Sequence, residues 1–407
     1  MPAADDVVSS QAVIALNSKL PYTATIPNLW SAIEPTFRFG AADEKGPRRT
    51  MEDAHTYVFD FAGIHGQGFF AVFDGHAGKE AADWCAKNFH EHLLQALSAR
   101  ADPPIPDILN EAFQSVDRSL MKMSEDSDGK MHSGCTAVTA LLRIEDADGR
   151  QPFATTLTSS SPVATIHSSL DESSDSATSP SPSEQTLGTG ARKGSSQSRL
   201  KKAIKRLSQH ISGHSPSVTP RTQSPTRPIH MHAVPTSSYP AEPQYPLPGQ
   251  QLRRVLYVAN AGDARGVLCR GGRALRLSYD HKGTDKQEAK RIMDSGGFVL
   301  SGRVNGVLAV TRSLGDPSMK EFVVGAPYTT ETELTDEDEC LILACDGIWD
   351  VLDDQMAVEI VRPIQDAQKA AEKLIHEATQ RYTNDNITVM VIRLKDVTPE
   401  LLATIEK

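Results

Sequence analysis

Apolar positions recur along this chain at two different periods, and the switches between them mark out its elements. Over 80–97 they fall at Ala82, Cys85, Phe89, Leu93 and Leu97, the spacing of one helix face. Residues 105–123 repeat that stripe with Leu109, Phe113, Val116, Leu120 and Met123. The spacing predicts a further helix over 367–382 and a short one over 285–295, stopped by Gly296-Gly297. Short apolar runs predict strands over 57–59, 68–73, 136–144, 255–260, 265–269, 274–277, 341–345 and 387–394. Gly271-Gly272 has the chemistry of a hairpin turn. Closely spaced strands, tight turns and intervening helices favour an α+β fold, an antiparallel sheet architecture with helices outside.

The pattern fails between Gln151 and Gln250. That stretch holds 21 Ser, 11 Thr and 13 of the chain's 25 Pro, no Trp and a single Phe, Phe153. It cannot bury enough apolar area to offset its ordering entropy, so residues 151–251 read as a disordered insertion. It lies between the strands over 136–144 and 255–260 and lengthens one surface connection without altering the core topology. Residues 1–25 read as a second loose segment, leaving 26–407 as one interrupted globular domain.

Composition narrows the function classes. The 407 residues carry a net charge of −10, which argues against a protein built around a nucleic-acid groove. No apolar run reaches the ~18 residues needed to span a bilayer. The first 40 residues lack the order of a secretory signal, and with one Lys, one Arg and three acidic residues they make a poor mitochondrial presequence. Five cysteines without a C-x-x-C point to reduced thiols and not to a disulfide framework or zinc site. The expected location is cytoplasmic, with the nucleus as an alternative.

Acidic residues recur at strand ends beside small residues. Glu52-Asp53 precede the first hairpin, and Asp74-Gly75-His76 follows the strand over 68–73. Asp263 lies in the turn Ala261-Gly262-Asp263, Asp346-Gly347 follows the strand over 341–345, and Asp385-Asn386 opens the last strand. Any one of these is ordinary turn chemistry. Five in one domain can converge on one cleft, where their repulsion is costly unless a cation sits between them. Oxygen ligands with no Cys and little His select a hard ion, Mg²⁺ or Mn²⁺.

These residues stand in longer motifs. Arg48-Arg49-Thr50-Met51-Glu52-Asp53-Ala54-His55 resembles the opening motif of the type 2C metal-dependent Ser/Thr protein phosphatases, and 70–76, Phe-Ala-Val-Phe-Asp-Gly-His, their second. Ser133-Gly134-Cys135-Thr136-Ala137, Asn260-Ala261-Gly262-Asp263-Ala264-Arg265, 308–316, 344–350 and Asp385-Asn386-Ile387-Thr388 resemble the family's later motifs, in order. The resemblance runs from about Phe39 to Leu394 apart from the insertion, and within the family it looks closest to small fungal enzymes restraining stress MAP-kinase pathways. It implies a four-layer sandwich of two antiparallel β-sheets flanked by α-helices on both outer faces. It further implies a binuclear Mn²⁺ or Mg²⁺ centre bridged by Asp74, with Asp346 and Asp385 completing one site. Glu52 and the Gly75 carbonyl serve the other. Asp53 is implied as an acceptor for metal-bound water, and Asp263 as the contact of a third, weaker ion shared with Asp346 or Asp350. The resemblance implies phosphoprotein substrates, MAP-kinase pathway components among them, acted on by a monomer.

The chemistry asks for the same residue types. A phosphate dianion repels hydroxide, so its charge must be neutralised, and cations acidify the attacking water. An arginine fork binds two phosphoryl oxygens at once. By family spacing that is Arg48, with Arg49 the competing choice. A departing alkoxide needs a proton, for which the resemblance offers His76; without the motif, a structural histidine at a strand end is the simpler reading. The family's second Gly after His is Ala77 here, strained if its φ is positive. Cys345 is followed by Asp346 and sits in no C-x5-R loop, which argues against a thiol-phosphate route. Cys340, Cys345, Trp84 and Trp349 read as core or cleft-edge packing. Within the insertion, 199–211 is basic with helically spaced Leu200, Ile204, Leu207 and Ile211, a solvated charge run or a docking segment for a kinase, adaptor or anionic membrane. Six Ser-Pro or Thr-Pro pairs there could accept phosphate from proline-directed kinases.

Overall fold

The computed structural model describes residues 37–99, 104–151 and 252–394, all within one compact unit. The N-terminal segment, most of the insertion with its 199–211 run, and the Ser/Thr-Pro pairs lie outside the described residues.

Two five-stranded antiparallel sheets form the centre. One runs β13 (Tyr328–Glu333), β7 (Arg253–Ala261), β6 (Ala137–Glu145), β3 (Gly68–Phe73) and β2 (Ala54–Phe59). The other runs β1 (Arg38–Glu44), β15 (Ile387–Arg393), β14 (Asp338–Ala344), β8 (Arg265–Arg270) and β9 (Arg273–Arg276). Side chains alternate across each strand, and here both faces are covered. Phe70, Val72, Val138 and Val258 point between the sheets to meet Leu341, Leu343, Met390 and Ile392. Phe69, Ala71 and Phe73 point the other way, onto α1 (Glu80–Ser98) and α2 (Ile105–Asp126) through Phe89, Leu93 and Phe113. The second sheet turns Val267, Ile342, Val389 and Val391 onto α4 (Asp346–Trp349), α5 (Asp354–Val361) and α6 (Ala367–Gln380). Helix, sheet, sheet, helix is the four-layer sandwich expected. Burial on both faces explains why the central strands read as continuous apolar runs and not as alternating ones.

A smaller part carries α3 (Lys286–Asp294), the hairpin β10 (Val299–Leu300) and β11 (Arg303–Val304), and a core of Ile292, Val304 and Val323. Asp285 caps α3 by accepting from the Gln287 and Glu288 amides. A three-stranded sheet joins β12 (Leu314–Gly315), β5 (Gly134–Cys135) and β4 (Gly75–His76).

The elements read from the sequence are all present, with ends displaced by a few residues. Those missed have physical causes. β1, RFGAADE, and β13, YTTETE, are edge strands with one open side, so they need few apolar residues. α5 is short, and the Asp353 cap accepting from Met356 N is its clearest sequence signal.

β6 and β7 pair antiparallel with Glu145 opposite Arg253, so the chain leaves and re-enters the sheet at adjacent points. Removing 151–250 therefore leaves ends that a short turn can join. Shortening that closure is worth roughly 2–2.5 kcal/mol, in the stabilising direction. The deletion variant is expected to melt within a few degrees of the full chain and to retain hydrolysis of a small aryl phosphate. A collapse of the thermal transition would show that the segment is part of the fold.

Candidate metal centre

Strands from both sheets end on one side of the sandwich, and the acidic residues sit there. Asp74 follows β3, Asp263 follows β7, Asp346 follows β14, Asp53 precedes β2, and Asp385 precedes β15. Asp74, Asp263 and Asp346 each present a carboxylate oxygen, and the three atoms lie within 4.8 Å of one another. Burial pushes the Asp74 carboxyl well above its usual range, helped by the charges of Asp346, Asp53, Asp263 and Asp385. Asp346 is raised in the same way, by burial and then by Asp263, Asp350 and Asp385. Burial lifts Asp53 to about 6, although Thr388 donates its hydroxyl to Asp53 Oδ2 at 2.8 Å. Asp263 is buried and Asp74 and Asp346 are half-buried; carboxylates this close repel, and a hard divalent cation is the partner that their oxygens fit.

The loop over 45–52 is fastened to the last strand. Asn386 donates Nδ2 to the Lys45 and Thr50 carbonyls, at 2.8 and 3.0 Å, and its Oδ1 accepts from Glu52 N at 2.9 Å. Gly75 packs so closely there that a Cβ would lie 2.2 Å from the Glu52 carbonyl oxygen. The Glu52 side chain accepts from the Thr50 hydroxyl at 3.3 Å and lies outside the tight trio. Asp350 is exposed, and Lys282 Nζ sits 3.4 Å from its Oδ1 and 3.5 Å from Asp263 Oδ2.

Arg48 is the arginine of the Arg48-Arg49 pair that reaches the centre. Its Nη2 lies 2.5 Å from Asp385 Oδ2, and its Nε donates to the Asn384 carbonyl at 3.1 Å. His76 Nε2 lies 2.7 Å from Asp316 Oδ2. Ala77 adopts φ 57°, a left-handed conformation that costs a non-glycine residue about 1–2 kcal/mol. The departure from the family's glycine is thus accommodated with strain. Sequence reasoning left Asn386 and Asp316 without roles, although both stand in quoted motifs.

Cys345 is buried beside the carboxylates. Burial, and then the charges of Asp53, Asp74 and Asp346, push its thiol up and hold it protonated. All five cysteines are buried and free. Trp349 packs in the second core and donates Nε1 to the Ala344 carbonyl at 2.9 Å, with Arg265 stacked over its ring.

The family model for protein phosphatase 2C matches residues 37–147 and 247–387, the two stretches that flank the insertion. The chain belongs to that family. It is 36% identical over 363 residues to protein phosphatase 2C homolog 1 of Saccharomyces cerevisiae, covering 88% of this chain and 94% of that protein. It is 34% identical to protein phosphatase 2C homolog 1 of Schizosaccharomyces pombe, over 85% and 70% of the two chains. A solved phosphatase from Toxoplasma gondii shares the fold with a TM-score of 0.53 at 22% identity, over 88% of this chain and 93% of that one. A solved Caenorhabditis elegans sex-determining protein shares it at 0.59 and 20%, over 93% and 69%. This type 2C phosphatase is accordingly a metal-dependent protein serine/threonine phosphatase. Among the described residues, no helix is long and apolar enough to cross a membrane.

Proposed function

We propose that this phosphatase hydrolyses phosphoserine and phosphothreonine at the acidic centre, with Mn²⁺ or Mg²⁺ as the bound ions. The observation that carries the reading is the convergence of Asp74, Asp263 and Asp346 within 4.8 Å at the ends of strands from both sheets. Asp74 would hold two ions jointly, with Asp346 and Asp385 on one and Glu52 and the Gly75 carbonyl on the other. Asp263 and Asp350 would contact a third, weaker one. Such ions, when bound, screen the phosphate dianion and lower the pKa of an attacking water towards ~7.

The chain's own groups do the rest. The Arg48 fork is exposed at the mouth of the centre and can grip two phosphoryl oxygens. Asp53, buried and held by Thr388, accepts a hydrogen bond from the attacking water. His76 gives a proton to the departing Ser or Thr oxygen. No phosphoenzyme forms, since the thiol of Cys345 beside the carboxylates stays protonated and buried.

The substrates we propose are phosphoproteins of kinase signalling, including stress MAP-kinase components. The support is the likeness to small fungal members of the family and the basic 199–211 run as a docking segment. We place it in the cytoplasm or nucleus, as a monomer. The test is a comparison, under one metal condition, of a phosphothreonine peptide with a nucleoside triphosphate. The peptide should show a kcat/KM at least about tenfold higher, a difference of roughly 1.4 kcal/mol. A preference for the nucleotide would replace the reading with that of a small-molecule phosphohydrolase.

A further inference from the structure

Three short strands in the smaller sheet have one conspicuous consequence. Gly134 on β5 stands opposite His76 on β4, and on its other side opposite Gly315 on β12. Asp316 follows directly, and its carboxylate reaches across Gly134 to His76 Nε2 at 2.7 Å. A Cβ on Gly134 would lie 2.2 Å from Asp316 Oδ2, so a side chain there would displace the carboxylate from the histidine. Asp316 holds φ 53°, in the left-handed region. Its side chain is 7% exposed, and Ser313 donates its hydroxyl to the same oxygen. From below, Asp117 on α2 accepts from Gly315 N at 2.9 Å and from Lys320 Nζ at 2.7 Å, which fixes the turn that carries Asp316.

We infer that Asp316 is a positioning residue for His76, orienting its ring and fixing the proton on Nε2. A carboxylate accepts and does not donate, so a hydrogen bond to Nε2 requires the proton on that nitrogen. The proton that His76 hands to the leaving oxygen is therefore the second one, carried on Nδ1 of the doubly protonated ring, and its transfer leaves a neutral imidazole with the remaining proton on Nε2, held by Asp316. The ring is aligned before substrate arrives, and no rotamer search precedes proton transfer. The inference rests on His76 as the proton donor proposed above.

The test is the leaving-group dependence of Asp316→Asn. Asparagine tolerates a positive φ, so the turn is kept while the charged acceptor is lost. The loss of kcat on a phosphothreonine peptide should be about 100-fold, the scale of a general acid. It should exceed the loss on an aryl phosphate, whose leaving group needs little protonation, by at least tenfold in the same ratio of rates. Adding His76→Ala should cost little more, because the two residues act as a unit. Equal losses on both substrates, or losses that multiply in the double variant, would overturn the inference and leave Asp316 a structural residue. Should Asp316→Asn fail to fold, Ser313→Ala carries the same test with a smaller loss of the same selectivity. Wild-type protein inactive on both substrates would remove the reading of function, and the positioning role with it.

Discussion

Asp74→Asn is expected to abolish phosphatase activity and, in EDTA, to raise the melting temperature. The Asp74 carboxyl is raised by burial and by four other acidic residues. Removing its charge removes an oxygen donor from the trio with Asp263 and Asp346. Activity should fall by about three orders of magnitude or more, equivalent to roughly 4 kcal/mol of transition-state stabilisation. The same change relieves repulsion among carboxylates less than 5 Å apart, worth about 1 kcal/mol or more. A disrupted structure would lose activity and stability together. Opposite signs in the two measurements identify a binding site strained for function. Circular dichroism melts and a metal-dependent assay on one preparation supply both readouts, and full retained activity would sink the assignment of Asp74.

His76→Ala carries the second large effect, and its signature is selectivity. Protonation matters in proportion to how poor the leaving group is. A threonine alkoxide is far more basic than an aryl oxide, so the peptide reaction should lose about 10²–10⁴-fold and the aryl reaction much less. Arg48 provides the contrast, because it binds the phosphoryl group common to both substrates, and Arg48→Ala should lower both reactions alike. Equal losses from His76→Ala would assign it a structural place at the end of β4.

Much of this arrangement was legible from the residues. The two-sided burial of β3 and β14 shows as apolar runs, and the carboxylates at their ends, Asp74 and Asp346, stand beside glycines that let the backbone pass close to Glu52 and Asn386. What could not be read was distance between sheets. Asp263 follows a strand of one sheet and Asp346 a strand of the other, and only the packing angle brings their oxygens together. The bond from His76 to Asp316 joins positions 240 residues apart through strands of two residues each. Strands so short have no periodicity to detect. β1 and β13 were hidden for a different reason, since edge strands with a polar side satisfy no apolar template. Arg48 and Arg49 are indistinguishable as neighbours in sequence; the ion pair to Asp385 separates them.

The measurement that bears most directly on the account is hydrolysis of a phosphothreonine peptide by the purified full chain. It is made in EDTA, then after adding excess Mg²⁺ or Mn²⁺. The expected result is no release of phosphate in EDTA and restoration by either ion, because the clustered carboxylates at the ends of β3, β7 and β14 have no catalytic use without a cation. Undiminished hydrolysis in EDTA would contradict the metal centre. Absence of hydrolysis with any ion, in protein shown to be folded, would contradict the enzyme itself and point to a binding role for the same fold.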